Sequence, residues 1–341
     1  MNTNLLVQQF LNGIAIGSVY AIFALGYTLV FSILRIINFA HGSIFTLGAY
    51  FTYALIGSKF GANGLFRESG LPFALPFPLA MLIGGVLAGV VGMLVDFAVF
   101  RPLRRQRADS LLTLVASLGI AIALVNFIQY LVGAENYSYP GNPFSTIWEQ
   151  LFNQKLPTAI NFGWQGFPLP IRTIQIVIFV VSMLLVVLLT YFINATKTGK
   201  ALQAVSEDEV TASLLGINTD RLIMLTFFVS GLLGGLAGTL VGLSVSISGP
   251  YFGIAFGLKG LAVIVLGGLG DIPGAVVGGF VIGIAEAVLP VLAEAILPSS
   301  QYLGQGIQWN SYKDAIAFAI LFIILLVRPQ GLLGRTVVQK V

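Results

Sequence analysis

Long uncharged apolar stretches follow one another along the chain, separated by short segments where charge, proline and glycine gather. Spans with little or no charge run over Leu5 to Leu34, Ile36 to Ser58, Leu75 to Val95, Leu111 to Gly133, Thr173 to Ile193 and Leu222 to Ile247. Three more lie at Phe252 to Gly270, Pro273 to Ala293 and Ala315 to Val327. At about 1.5 Å per helical residue, most of these cross a hydrocarbon layer about 30 Å thick, although the last is short. Inside lipid every backbone N–H and C=O must be satisfied within the structure, which leaves helical bundles and closed barrels. Barrel strands alternate over about 10 residues, and these runs are longer and continuous. The pattern predicts an all-α, polytopic transmembrane helical bundle of about nine crossings, with eight to ten as the range, and a single membrane domain over residues 1–341.

Composition sharpens this picture. Of 341 residues, 57% are hydrophobic and only 9% charged, and no soluble core needs so much apolar length. The net charge of +4 does not point to nucleic acid, because the basic residues sit at the ends of apolar spans, as the positive-inside rule describes. Arg101, Arg104, Arg105 and Arg107 should therefore be cytoplasmic. Counting crossings from them puts Lys197 to Arg221 inside, the connection over residues 134–172 outside, and Arg328, Arg335, Lys340 and the C-terminus inside. No basic n-region precedes the first span, so that span is expected to be permanent. The absence of cysteine excludes disulfides and thiol chemistry.

The outer connection contains "NYSYPGNPF" and "NFGWQGFPLP", which predict turns or short interfacial helices that cap a pore mouth, meet an external partner or lie on the bilayer. Glycines recur at four-residue spacing, as at Gly231 and Gly235, Gly234 and Gly238, and Gly274 and Gly278. Such spacing lets helix backbones approach closely.

Catalytic material is scarce. One histidine and no cysteine leave no metal motif, and neither G-x-S-x-G nor G-x-x-x-x-G-K-[ST] occurs, so any ATP and magnesium must bind another chain. The acidic segment "SEDEVTASLLGIN" (206–218) is out of character here. Ser206 and Glu209 suggest a capping box, Glu207 and Asp208 suit the positive end of a helix dipole, and Gly216 suits a terminator. Val210, Leu214 and Ile217 form an apolar stripe. Interfacial helices carry basic polar faces, so an acidic one over about 206–217 fits a groove on a cytoplasmic protein, or packs on its own bundle.

"INFAHGSIFTLGAY" (37–50) places Asn38, His41, Gly42 and Ser43 in an apolar run, with Gly42 and Gly48 weakening the helix. "GPYFGIAFGLKGLA" (249–262) brings Pro250 and Tyr251 to a similar place after the sixth span. Broken helices with freed backbone groups build transporter sites, and the two stretches sit in segments of opposite orientation, as inverted repeats require. These six residues are candidates for a translocation path, against which a histidine satisfied by packing is the plain alternative. Lys259 and Glu286 lie about 18 and 22 Å along the chain from a turn near Asp271. They would reach similar depth and are expected to pair, since an isolated charge in the bilayer costs at least about 2.5 kcal/mol.

"NGIAIGSVYAIFALGYTLVFSILRIINFAHGSIFTLGAY", "ASLLGINTDR" and "LGGLGDIPGAVVGGFVIGIAEA" together resemble the membrane permease of high-affinity branched-chain amino acid ABC importers, the LivH type, over essentially the whole chain. The resemblance implies an inverted-repeat, broken-helix permease in a bacterial inner membrane. It implies that Ser206, Glu207, Asp208, Glu209, Val210, Leu214 and Gly216 belong to a coupling helix that docks on a cytoplasmic ATPase. It further implies as partners a second homologous permease, two ATP-binding subunits and an external, periplasmic binding protein, with a branched-chain or other neutral amino acid as cargo. Relatives that carry urea or short amides give an alternative cargo. From the residues alone, an ion-coupled secondary transporter titrating Asp96 or Glu286 stays open beside this, with a membrane-embedded enzyme behind both.

Overall fold

The computed structural model describes residues 3–140, 144, 148–149, 153–155, 157–161, 170–296 and 309–334. Arg335 and Lys340 lie outside the described residues, as does most of "NFGWQGFPLP". The helices are α1 (Thr3–Leu34), α2 (Ala40–Leu55), α3 (Phe77–Val95), α4 (Arg101–Arg105), α5 (Ser110–Val132), α6 (Thr173–Ala195), α7 (Lys197–Glu207), α8 (Glu209–Leu214), α9 (Thr219–Val245), α10 (Phe252–Gly267), α11 (Ile272–Ile296) and α12 (Lys313–Val327). A π-helical turn (Asp96–Phe100) joins α3 to α4, and a 3-10 turn (Trp309–Tyr312) precedes α12.

Every apolar span of the sequence is occupied by a helix, as the backbone's need for internal hydrogen bonds in lipid requires. Among the described residues, 6 helical stretches are long and apolar enough to cross a membrane. They take in α1, α3 with its continuation to Arg105, α5, α6, α9 and α11. The helices α2 and α10, of 16 residues each, would reach only about 24 Å. The break after α1 falls at Arg35, whose φ is 54°, and not at the glycines of α2. Gly42 and Gly48 stand inside an unbroken α2, because the close backbone approach they permit compensates for their weak helix preference.

Two antiparallel ribbons were not anticipated. In one, β1 (Asn136–Tyr137) pairs with β4 (Ile247–Ser248), and in the other β2 (Ala159–Asn161) pairs with β3 (Pro170–Arg172). Strands of two or three residues are too short to show alternation.

The chain forms two compact units, one of residues 25–156 and 184–258, the other of residues 1–24, 157–183 and 259–341. In the first, α9 packs on α2 and α3 through glycine. A Cβ at Gly48 would stand 2.1 Å from Gly235 Cα, one at Gly238 2.0 Å from Phe45 O, and one at Gly231 2.7 Å from Ala88 O. Lipid offers no hydrophobic drive for helix association, so such close van der Waals contact replaces it. Nearer α4 the seam opens into an apolar cluster of Val30, Ile44, Ala88, Val95, Phe100, Ile223 and Phe227. In the second unit α11 lies against the early part of α1, where a Cβ at Gly283 would stand 2.3 Å from Gly17 Cα. Asp271 Oδ2 accepts from Gly274 N at 2.7 Å, and Leu332 N donates to Leu266 O at 2.7 Å, laying the chain after α12 back on α10.

Candidate functional site

The acidic segment is an elbow of two helices, not one helix from Ser206. The preceding residues "KTGKALQAV" are amphipathic, burying Gly199, Leu202 and Val205, and this carries α7 through Ser206 to Glu207. Ser206 Oγ donates to Gln203 O at 2.7 Å inside the last turn, so it caps nothing. Asp208 takes the cap instead. Its backbone is extended, with φ −153° and ψ 107°, and its Oδ1 accepts from Val210 N at 2.9 Å and Thr211 N at 3.2 Å. Oδ2 accepts from Thr211 Oγ1 at 2.6 Å. The Thr211 hydroxyl, followed by its amide, holds the Asp208 carboxyl below the usual carboxylate range. Glu209 is the first residue of α8 and therefore not the third-position partner of a capping box.

Gly216 ends α8 with φ +84°, and the bonds Gly216 N to Ser213 O (3.0 Å) and Ile217 N to Ala212 O (3.2 Å) form a Schellman closure. Ala212 is buried, while Val210, Leu214 and Leu215 are exposed at 69%, 82% and 77%. A six-residue helix is thus fixed at both ends and shows apolar side chains outward.

The path candidates are mostly built into the bundle of one unit. Asn38 Oδ1 accepts from Ala40 N at 3.1 Å, starting α2. His41 is buried, with Nδ1 3.2 Å from Ser230 Oγ and its ring edge-on to Tyr27 at 5.2 Å. Gly26 and Gly234 leave the space it fills: a Cβ on either would come within 3 Å of His41 Cε1. Ser43 Oγ donates to Ala121 O at 2.9 Å. Gly42 faces Gly253 O at 2.5 Å from an ideal Cβ, and Gly253 N donates to Thr46 Oγ1 at 2.8 Å. Pro250 is buried and Tyr251 exposed. Thr46, a polar residue of the same stretch, belongs with this group, and so do Tyr27 and Ser230 from neighbouring helices, whose hydroxyl-bearing side chains at the depth of the histidine are the signal for them.

In the other unit, Lys259 Nζ lies 3.0 Å from Glu286 Oε1. It also lies 2.7 Å from Asp314 Oδ1 and 3.3 Å from the Tyr20 hydroxyl, which donates to Glu286 Oε2 at 2.7 Å. The expected pair is therefore a cluster of four residues from α1, α10, α11 and α12. Lys259 and Glu286 are buried and Asp314 is half exposed. Asp314 stands one residue before the apolar run that begins at Ala315, so span hydropathy alone does not bring it into the group.

A family model described as branched-chain amino acid transport system / permease component matches residues 9–325. The chain belongs to this permease family. Among its relatives, the high-affinity branched-chain amino acid transport system permease protein LivH of Escherichia coli K12 is 36% identical over 336 residues, covering 98% of this chain and 97% of that protein. The corresponding permease protein BraD of Pseudomonas aeruginosa is 33% identical over 336 residues, covering 98% of each chain. The permease protein LivM of Escherichia coli K12 is 27% identical over 330 residues, covering 93% of this chain and 68% of that protein. This permease is accordingly a multi-pass helical membrane protein, and the family match runs from within α1 to within α12, taking in the α7–α8 elbow and both buried polar groups.

Proposed function

We propose that this permease is the membrane-spanning subunit of an ATP-driven importer of branched-chain or other neutral amino acids in a bacterial inner membrane, and that α8 is where ATPase movement enters it. The observation that carries the proposal is a doubly capped helix displaying Val210, Leu214 and Leu215, in a chain whose relatives are named as branched-chain amino acid permeases. A lipid-lying helix would have basic neighbours. Here Glu207 closes α7, Asp208 caps α8 and Glu209 opens it, and so acidic an entry suits a groove on a protein. On this reading the chain transports and does not catalyse, and ATP and magnesium bind two separate ATPase subunits. A second homologous permease completes the membrane core, and an external binding protein delivers cargo. Arg101 to Arg107 and the C-terminus face the cytoplasm. Among the path candidates, Asn38, His41, Gly42 and Ser43 set the helix approach, and Tyr251 is the one with an exposed side chain to meet solute.

The test is purification from native membranes followed by uptake in vesicles. ATPase subunits and a second permease should copurify, and leucine uptake should require ATP while surviving a protonophore. Uptake that survives ATP depletion and stops with the proton gradient would transfer the assignment to an ion-coupled carrier. Uptake competed by urea or acetamide and not by leucine would change the cargo alone.

A further inference from the structure

The route from α8 into the bundle has one evident branch: Gly216 and Asn218 lead into α9, and Asn218 Oδ1 accepts from Arg221 N at 3.1 Å. A second branch begins two residues later. Asp220 Oδ2 accepts from Arg101 Nη2 at 2.8 Å and lies 3.5 Å from Arg105 Nη2. Both arginines belong to α4, which hangs from α3 through the π-turn Asp96–Phe100. The start of that turn is held from within, because Arg104 Nη1 donates to Asp96 Oδ1 at 2.6 Å. Its end is held from the side, because Phe100 packs on Phe227 of α9 with ring centroids 5.0 Å apart.

These contacts differ in kind. Asp96 is 1% exposed beside an Arg104 side chain exposed at 16%, so that pair is largely shielded from solvent. Asp220 and Arg101 are exposed at 40% and 31%, and Arg105 stands by as a second donor, so that pair can exchange partners. A π-turn interrupts the regular helical ladder and is a place where helices kink, often at functional sites. Farther along, α9 meets α3 backbone to backbone, with an ideal Cβ at Gly92 2.5 Å from Phe227 O. Nearer α8 the start of α9 meets α4 through the ion pairs of Asp220.

We infer that Asp220, Arg101, Arg104 and Asp96 are positioning residues for energy transmission: they clamp the π-turn and α4 to the start of α9, so that a displacement of α8 moves α3 together with α9. The inference rests on the proposed coupling role of α8. Without the Asp220 clamp, α8 and the start of α9 shift while α3 lags, and ATP is hydrolysed without transport. Coupling of this kind needs an element with two arrangements that both sites bias, and Asp220, with Arg101 at 2.8 Å and Arg105 at 3.5 Å, has two donors between which to exchange.

The experiment uses the complete importer in proteoliposomes and reads substrate moved per ATP hydrolysed. Asp220→Arg is expected to lower that ratio about fivefold or more with the ATPases still bound, and the swap Arg101→Asp with Asp220→Arg to bring it back within about twofold. An unchanged ratio in Asp220→Arg, or a swap as poor as the single variant, overturns the inference. Where charge reversal prevents assembly, Asp220→Asn and Arg101→Gln decide: a ratio lowered by each and not lowered further by both supports the clamp, and an unchanged ratio sinks it. An unsubstituted importer that moves no substrate with ATP would defeat the proposed function instead, before any variant is compared.

Discussion

Lys259 neutralises two carboxylates and also holds the Tyr20 hydroxyl, so its loss and the loss of a partner are unequal events. Lys259→Met leaves Glu286 and Asp314 facing each other and should cost about 3 kcal/mol or more, the range for breaking a buried pair. Glu286→Gln keeps an acceptor for Tyr20 and leaves Asp314 as counter-charge, so its midpoint of thermal unfolding should fall much less. Equal losses would show that Asp314 takes no part. Asp208 yields a pH prediction. Its pKa is lowered in the folded chain, chiefly by the Thr211 hydroxyl, so the cap's contribution is complete above the unfolded value of about 3.9 and fades as pH falls through the lower folded value. Carboxyl NMR of labelled Asp208 should show a midpoint below the ordinary aspartate range, moved upward in Thr211→Val. Sequence alone puts the cap at Ser206, and the structure puts it at Asp208, two residues on. What decided between them was the amphipathic run upstream, which consumes Ser206, and that is a property of the neighbouring helix.

At the scale of elements, glycines of equal standing in the sequence have opposite roles. Gly48 lies on α2 where any Cβ meets the Gly235 backbone, while Gly119 on α5 has nothing within 4 Å. Gly48→Ala is expected to lower the monodisperse yield and thermal midpoint of the purified permease sharply. Gly119→Ala should leave both unchanged or raise them, since alanine is favoured over glycine in a helix interior by about 0.5–1 kcal/mol. The helices themselves were legible because each needs an apolar run of its own length, and the charges mark where the runs stop. The ribbon of β1 and β4 was not legible: Asn136 and Ser248 pair across more than a hundred residues, and nothing local in either dipeptide announces the other.

Across the whole molecule, the signs of the loops set orientation. Arg105, exposed at 67% in a chain without cysteine, offers a clean probe: Arg105→Cys should react with an impermeant thiol reagent only in inside-out vesicles, and labelling of intact cells would invert the topology. The family was readable from motifs scattered over the chain, and so was the meeting of Lys259 with Glu286, because helical rise converts sequence distance into depth. The clamp on α4 was not. Asp220 and Arg101 stand more than a hundred residues apart in spans of similar composition, and only the packing of α9 on α3 makes them neighbours.

The contact of Gly48 with Gly235 also bears on how such a chain can change over time. Most helix contacts drift by exchange, one side chain growing as its neighbour shrinks. Here both partners already have the smallest side chain there is, so no shrinkage on one side can make room on the other. A larger residue at either position becomes tolerable only if the two helices part, so this seam can change only by a shift of backbone.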